Sequence, residues 1–526
     1  MAESNNTATN EPKRKLQIEP WMFWPPLILL ILFSAFVISD PARGNAVMKK
    51  GFDFLSGPLG WSYGWFFLIV MGILIYLIFS KYGSMRLGGE KPEFSTFTWL
   101  VMLFTAATGG ALLYWGTIEY FYYVSAPPFG AKPFSLAAQE WASSYGLFHW
   151  GFITNSLYAL CGVLFGYFIF VKKMDVFRPS VACHAVLGDR VYGWLGKVID
   201  IFYVIALVAG VGTSIGLATP LAGHLIAKYF HLEYNLTMDI VLIIIWSVII
   251  AIAVYSGLQK GIKYMGLARI WLSFIVIGVV LVVGPTSFML NNFTDAIGTI
   301  LQNFGKMALH TDPLQTTGFP QAWTIFYYAW YLTYAIYMGI YYARISRGRT
   351  VREVALGCVG AASFGAWMFF AVLGNYATDI FNKGVLPVVD IMNSAGDSAA
   401  IVQIWSTLPW PAVTLFIFLA LAFVSTVTLL NGGAYTCAMA TMKNMRSDEE
   451  PAGWTRIFWS LAIGAVTLSL MIAGGLKPLQ MFVVVSSFPM MIVATIILIS
   501  FFKESKKGWG DSHSWGEKHA WESESS

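Results

Sequence analysis

Residues 240–254 read Ile-Val-Leu-Ile-Ile-Ile-Trp-Ser-Val-Ile-Ile-Ala-Ile-Ala-Val, fifteen positions without a charge. The apolar stretch around them runs over 237–256, and about 20 such residues in a helix cross the ~30 Å of a bilayer core. Comparable stretches lie near 22–39, 61–80, 95–124, 140–171, 192–219, 265–290, 321–343, 353–378, 408–442, 454–474 and 478–502. Composition agrees. The chain has 526 residues, 57% hydrophobic and 12% charged, about half the ~25% charged content of soluble domains. So little charge cannot cover a water-soluble surface. The expected fold is therefore an all-α polytopic membrane protein of twelve transmembrane helices. Between the seventh and eighth spans, 295–311 reads as an amphipathic helix at the membrane interface.

Several functions fall away on the same page. The four cysteines (Cys161, Cys183, Cys358 and Cys437) form no CxxC pair and no disulfide framework. No G-x-x-x-x-G-K-[ST] phosphate loop and no H-E-x-x-H helix appears, so no nucleotide engine, metal site or cofactor is expected. A net charge of +5 carried in short loops is no nucleic-acid footprint. The polar start, MAESNNTATNEPKRK, lacks a cleavage pattern before the first apolar run, which reads as a retained span. Alternate loops hold 23 of the 33 Lys and Arg residues on the side of both tails. The positive-inside rule then puts both termini in the cytoplasm.

The densest chemical signal is the eighth span, Ala-Trp-Thr-Ile-Phe-Tyr-Tyr-Ala-Trp-Tyr-Leu-Thr-Tyr-Ala-Ile-Tyr-Met from Ala322 to Met338. At 100° per residue, Trp323, Tyr327, Trp330, Tyr334 and Met338 share an arc of about 80°, with Tyr331 at its edge. A cage of ring faces attracts a quaternary ammonium at perhaps ~2 kcal/mol per desolvated contact. Aromatic packing between helices accounts for the same pattern. In the third span Trp115, Glu119 and Tyr122 also share a face, below Thr108, Gly109 and Gly110, where a helix would unwind or pack closely. Glu119 and Arg269 are charges deep in the third and seventh spans. The cheapest arrangement is for them to meet, directly or through a polar bridge. Ser425 and Thr426 in the tenth span offer hydroxyls to a buried cation, or to their own helix.

These residues resemble the betaine/choline/carnitine transporter family. The resemblance is carried by Trp323–Trp330 and by Ala343-Arg-Ile-Ser-Arg-Gly-Arg-Thr-Val-Arg-Glu353. Further matches are Glu-Phe-Ser-Thr at 93–96, Phe148-His149-Trp150, Gly212 to Pro220 and Gly257-Leu-Gln-Lys-Gly261. Within the family the chain is most similar to sodium-independent exchangers of L-carnitine and γ-butyrobetaine. The resemblance implies a LeuT-like fold. In it an N-tail (1–20) and two peripheral helices (21–94) precede a first five-helix repeat (95–290). An interfacial segment (291–320), an inverted second repeat (321–502) and a C-tail (503–526) follow. It implies a homotrimer in the bacterial cytoplasmic membrane. Carried over by position, the substrate cage falls on Tyr122, Trp330, Tyr331 and Tyr334, with Trp150 beside it, Trp323 on the outer pathway and Met338 where coupled relatives hold one sodium. Arg269 falls where an arginine replaces a second sodium, with Glu119 as its acidic partner. The chain departs from the exchangers at Tyr331 (Trp there) and Tyr337 (Gln there). It also has Ala107-Thr-Gly-Gly-Ala111 where betaine carriers have Gly-Met-Gly-x-Gly.

The function implied is exchange of trimethylammonium carboxylates, with sodium- or proton-coupled uptake of glycine betaine, choline or a similar onium ion as the alternative. A membrane enzyme would need a nucleophile–base pair or metal ligands near the cage. Of seven histidines only His149 sits beside candidate residues, and it reads as a satisfied core histidine. A channel would show a filter motif or an acidic ring, and none appears.

Overall fold

The structure is a computed structural model describing residues 17–89, 91–107, 110–174, 178–255, 259–443 and 450–509. Among these residues every extended element is a helix, and the only β-pairings are two isolated bridges. Ten helices or helix runs are long and apolar enough to span a membrane. An eleventh span is a bent pair, and the twelfth expected span is a helix too rich in tyrosine to qualify by composition.

The first spans are α1 (Pro20–Ser39) and α3 (Gly60–Phe79). Between them lies α2 (Pro41–Ser56), which the hydropathy reading did not foresee. Its start is set by Asp40, whose carboxylate accepts the Arg43 N–H at 3.0 Å, and by Pro41 at the first helical position. The third span is two helices, α4 (Thr96–Ala107) and α5 (Gly110–Ser125), inclined at 61°. The expected weak point at Thr108 and Gly109 falls outside the described residues, while Gly110 opens α5.

The fourth span also breaks, between α6 (Leu136–His149) and α7 (Phe152–Gly166). Thr154 Oγ1 and Asn155 Nδ2 bond the carbonyls of His149, Trp150 and Gly151 at 2.8–3.2 Å, replacing helix bonds lost there. A side chain at Gly151 would put its Cβ 2.5 Å from the Leu147 carbonyl oxygen, so the break requires glycine. Next come α8 (Trp194–Phe230), α9 (Leu236–Tyr255), α10 (Gln259–Val283) and α11 (Thr286–Leu309). The amphipathic segment expected at 295–311 belongs to α11, which starts nine residues earlier because Pro285 ends the seventh span sooner than 290.

The second half opens with a π turn (Pro320–Thr324) running into α12 (Ile325–Ile345). Then α13 (Val351–Phe369) passes through a second π turn (Phe370–Gly374) into α14 (Asn375–Asn382). Short helices α15 (Val388–Ala395) and α16 (Asp397–Ser406) precede α17 (Pro411–Ala440), α18 (Gly453–Ile472) and α19 (Leu476–Ser505).

Burial sorts these helices by neighbour. The apolar windows of α1, α9 and α10 are only 33%, 33% and 22% buried and face lipid, whereas that of the α6–α7 span is 89% buried. In lipid no hydrophobic force draws helices together, so small residues that let backbones approach become the interface. At the α7–α12 crossing a Cβ on Gly339 would lie 2.5 Å from Cys161 Cβ, and one on Gly162 2.9 Å from Tyr342 Cβ. All four cysteines are buried and free.

One end of the bundle gathers both described chain ends. Glu19 N–H donates to the Thr441 carbonyl at 2.9 Å and Trp509 Nε1 to the Arg86 carbonyl at 3.1 Å. Here the Ala343–Glu353 motif has a structural job. Thr350 and Glu353 form a reciprocal capping box that starts α13. Arg86 donates to the Gly348 carbonyl (2.7 Å), and Arg349 sits 4.0 Å over the Trp99 ring while donating to the Phe94 carbonyl.

Candidate substrate site

At the bundle centre α5, the α6–α7 break and α12 converge on Glu119, whose side chain is wholly buried. Tyr123, one turn along α5, donates to Oε1 at 2.5 Å. Tyr327 OH (2.6 Å) and Trp150 Nε1 (3.0 Å) donate to Oε2. Tyr123 has a single hydroxyl proton. Giving it to Glu119 leaves its oxygen to accept from His149 Nδ1 at 2.9 Å, and Nε2 of that ring then accepts from Thr324 Oγ1 at 3.1 Å. His149 is thus a satisfied core histidine, stacked 4.7 Å from Tyr327. The carboxylate is solvated by hydroxyl and indole donors from three elements.

The expected meeting of Glu119 with Arg269 does not occur. Arg269 on α10 reaches the Thr105 carbonyl in the last turn of α4, and its other terminal nitrogen donates to Thr428 Oγ1 at 3.3 Å. The last carbonyls of a helix have no partner within it and carry its negative dipole end, so a guanidinium is well placed there. The hydroxyl it uses is that of Thr428, not Ser425 or Thr426. Thr426 Oγ1 donates back to the Ala422 carbonyl at 2.7 Å. Ser425 and Thr426 instead face Gly110: a Cβ there would lie 3.6 Å from Ser425 Cβ and 3.5 Å from Thr426 Oγ1.

The aromatic residues form two groups rather than a single stripe. Trp323 lies in the π turn, whose wider winding departs from the 100° step, so it joins α5: its ring centroid is 4.9 Å from Tyr122 and 5.8 Å from Trp115. Trp330 packs edge to face with Trp150 (5.8 Å) and stacks on Phe326 (5.4 Å). Its indole N–H donates to the Gly210 carbonyl of α8 at 3.2 Å. Tyr331 stacks on Tyr158 at 4.7 Å and meets Trp150 at 6.2 Å. Tyr334 shares a 2.9 Å hydrogen bond with Ser214 of α8, and Met338 is buried one turn further on. A Cβ at Gly210 would lie 3.1 Å from both Thr333 Cβ and the Tyr334 ring, so this glycine lets α8 approach the aromatic face of α12. Tyr327 joins the two groups, its ring 6.1 Å from both Trp115 and Trp330, while Trp150 meets Trp330 and Tyr331 and gives its N–H to Glu119.

Tyr122, the remaining cage candidate, points its hydroxyl away from this centre. It donates to Asp397 Oδ2 of α16 at 2.5 Å, as does Tyr114 OH. Sequence reasoning missed Tyr123, Gly210, Ser214, Thr428 and Asp397. Only Tyr123, four residues from Glu119, carried a readable helical signal.

Glu119 and the rings of Trp150, Tyr327, Trp330, Tyr331 and Tyr334 are thus buried together at the centre of a bundle of apolar helices. The sequence profile described as betaine/carnitine/choline family transporter matches residues 21–509. The chain belongs to this family. As a betaine/carnitine/choline transporter it is a multi-pass carrier of quaternary ammonium compounds. Ring faces meet a cation that cannot hydrogen-bond, and desolvation strengthens each contact.

Proposed function

We propose that this transporter exchanges trimethylammonium carboxylates, such as L-carnitine and γ-butyrobetaine, without sodium. The cage is Tyr122, Trp330, Tyr331 and Tyr334, with Trp150, Trp323 and Met338 around it. The observation that carries the reading is Arg269 at the C-terminal end of α4. In carriers with broken spans, unpaired carbonyls and helix C-terminal ends coordinate the coupling cation. A guanidinium keeps its charge at every accessible pH, so a carrier that fills such an end with Arg269 has no ion to load and release. Its cycle is then completed by a second substrate moving in the opposite direction. Two inverted five-helix repeats, 95–290 and 321–502, would rock around the centre. The chain would work as a homotrimer in the bacterial cytoplasmic membrane, both tails inside, in keeping with the family resemblance and the loop charges. Glu119 and Arg269 serve the coupling region separately, Glu119 by orienting Trp150 and Arg269 by closing α4 against α17, near Ser425 and Thr426.

The test is counterflow into proteoliposomes loaded with carnitine. Exchange is expected to be the same in sodium and potassium buffers. Arg269→Glu is expected to lose exchange without sodium and to recover part of it with sodium, because a carboxylate can ligate the ion. Wild-type exchange stimulated several-fold by sodium would overturn the ion-independent reading. Acceleration by a proton gradient would favour proton-coupled uptake instead, for which the buried Glu119 is the available carboxylate.

A further inference from the structure

A file of hydrogen bonds runs from Glu119 toward the end of the bundle opposite the described chain ends. Tyr123 OH donates to Glu119 Oε1 at 2.5 Å, His149 Nδ1 to the Tyr123 oxygen at 2.9 Å, and Thr324 Oγ1 to His149 Nε2 at 3.1 Å. Every donor in the file points toward the carboxylate, and all four residues are buried. Beyond Thr324, a cavity of about 30 Å³ lies between the start of α3, the end of α11 and the start of α12. That is room for a single water. Thr324, Thr311 and His310 are among its lining residues, and His310 Nε2 is buried without a hydrogen-bond partner. The groups facing Glu119 are Tyr123 from α5, His149 and Trp150 from the α6–α7 break, and Tyr327 and Tyr331 from α12. Among the described residues no Lys or Arg is paired with it.

Hydroxyls and an imidazole in one hydrogen-bonded line can hand a proton along without any of them moving far. We propose that Thr324, His149 and Tyr123 are a proton wire that loads Glu119 from this face, the outer one in the orientation proposed above. The step balances. A hydronium in the cavity gives a proton to Thr324 Oγ1 as that hydroxyl passes its own to His149 Nε2. Nδ1 then releases its proton to the Tyr123 oxygen, and Tyr123 passes its own to Oε1. Water and a carboxylic acid result, and the three wire residues end neutral, as they began. To carry a second proton inward the imidazole would have to turn over, yet its ring lies 4.7 Å from Tyr327 and 5.2 Å from Tyr145 with no exposed surface. The proton therefore leaves by the path it entered, and Glu119 is a one-proton site open to one face rather than a leak.

Loading acts on the cage. Glu119 Oε2 holds Trp150 Nε1 and Tyr327 OH, and Trp150 meets Trp330 and Tyr331. Hydrogen bonds to a charged acceptor are about twice as strong as those to a neutral one. Acid on the outer face thus loosens Trp150 and removes a negative charge near the bound cation. This consequence rests on the reading of these rings as the onium cage.

The test is transport by right-side-out membrane vesicles carrying the full-length protein, with the pH of each side clamped separately. The probe is whichever of radiolabelled L-carnitine, glycine betaine and choline the wild type carries fastest. Acidifying the outer medium is expected to raise the outer KM about fivefold and to leave the rate at saturating substrate unchanged, whereas acidifying the interior leaves the KM as it is. Thr324→Val, which cuts the wire but keeps the three donors on Glu119, should hold the KM at its alkaline value at every outer pH, and Thr324→Ser should restore the response. Glu119→Gln, neutral throughout, should hold the KM at the acid value. A KM that follows the interior pH, or an outer response that survives in Thr324→Val, overturns the wire while leaving onium transport standing. If Thr324→Val does not fold, Glu119→Gln decides, and an outer response that persists in it overturns the proposal. A wild type that carries none of the three probes overturns the reading of the cage instead.

Discussion

Replacing Glu119 separates two explanations of how a lone carboxylate is held inside the bundle. With Glu119→Ala, Tyr123 can still turn its proton to His149 Nδ1, 2.9 Å away, by a switch of the imidazole tautomer. Tyr327 OH and Trp150 Nε1 both lose the oxygen they share. A buried donor without a partner costs roughly 1–3 kcal/mol, so the pair should cost about 2–6 kcal/mol before any cavity is counted. Glu119→Gln behaves differently. The amide oxygen can serve Tyr327 and Trp150, and the amide NH2 can face the Tyr123 oxygen, so the cost should stay within about 1 kcal/mol, close to the value of an ordinary interhelical hydrogen bond in a bilayer. Unfolding by titrated SDS in bicelles, followed by tryptophan fluorescence, measures both. A Gln variant as damaged as the Ala variant would refute the reasoning. It would mean that charge, not acceptor geometry, holds the site, and that a cationic partner such as Arg269 pairs with Glu119 in the membrane.

Trp330→Ala is expected to abolish tight onium binding at micromolar substrate, read by fluorescence titration; unchanged affinity would remove Trp330 from the cage. Tyr331→Trp should shift preference toward carnitine and γ-butyrobetaine, because the larger ring extends from the Tyr158 stack toward Trp150; coincident competition profiles would show that Tyr331 does not set specificity. Gly339→Ala should destabilise by about 1–3 kcal/mol through overpacking against Cys161. Gly298→Ala, with open space around its Cβ, should be neutral or stabilising in the same SDS assay.

The spans were legible because lipid is a demanding solvent: a helix facing it must be apolar over its whole length, and α9 could hardly be read otherwise. Elements that meet protein or water carry no such requirement. Helix α2 has Arg43, Lys49, Lys50 and Asp53 among its sixteen residues, and α15 and α16 are too short for a clear period, so hydropathy was silent on all three. Of the aromatic stripe, Tyr327, Trp330, Tyr334 and Met338, with Tyr331 at its edge, lie on the regular helix α12, but Trp323 lies in a π turn, and no residue type announces a π turn. The pairing of Glu119 with Arg269 failed for an energetic reason. It counted only opposite charges as relief for a buried ion, whereas tyrosine hydroxyls, an indole N–H and helix-end carbonyls relieve these two just as directly.

The glycine crossing between α7 and α12 bears on which parts of the carrier move. Cys161 lies against Gly339 with no room for a methyl group, and the reciprocal contact of Gly162 with Tyr342 is nearly as close. Two helices meshed backbone to backbone at two successive turns cannot slide or roll without collision, so they should travel as one solid block through the transport cycle. The sulfur trapped in that seam is a built-in gauge. A water-soluble maleimide should leave Cys161 unlabelled in every state the carrier visits, and substrate-dependent labelling there would place the sliding surface of the machine in this seam rather than around it.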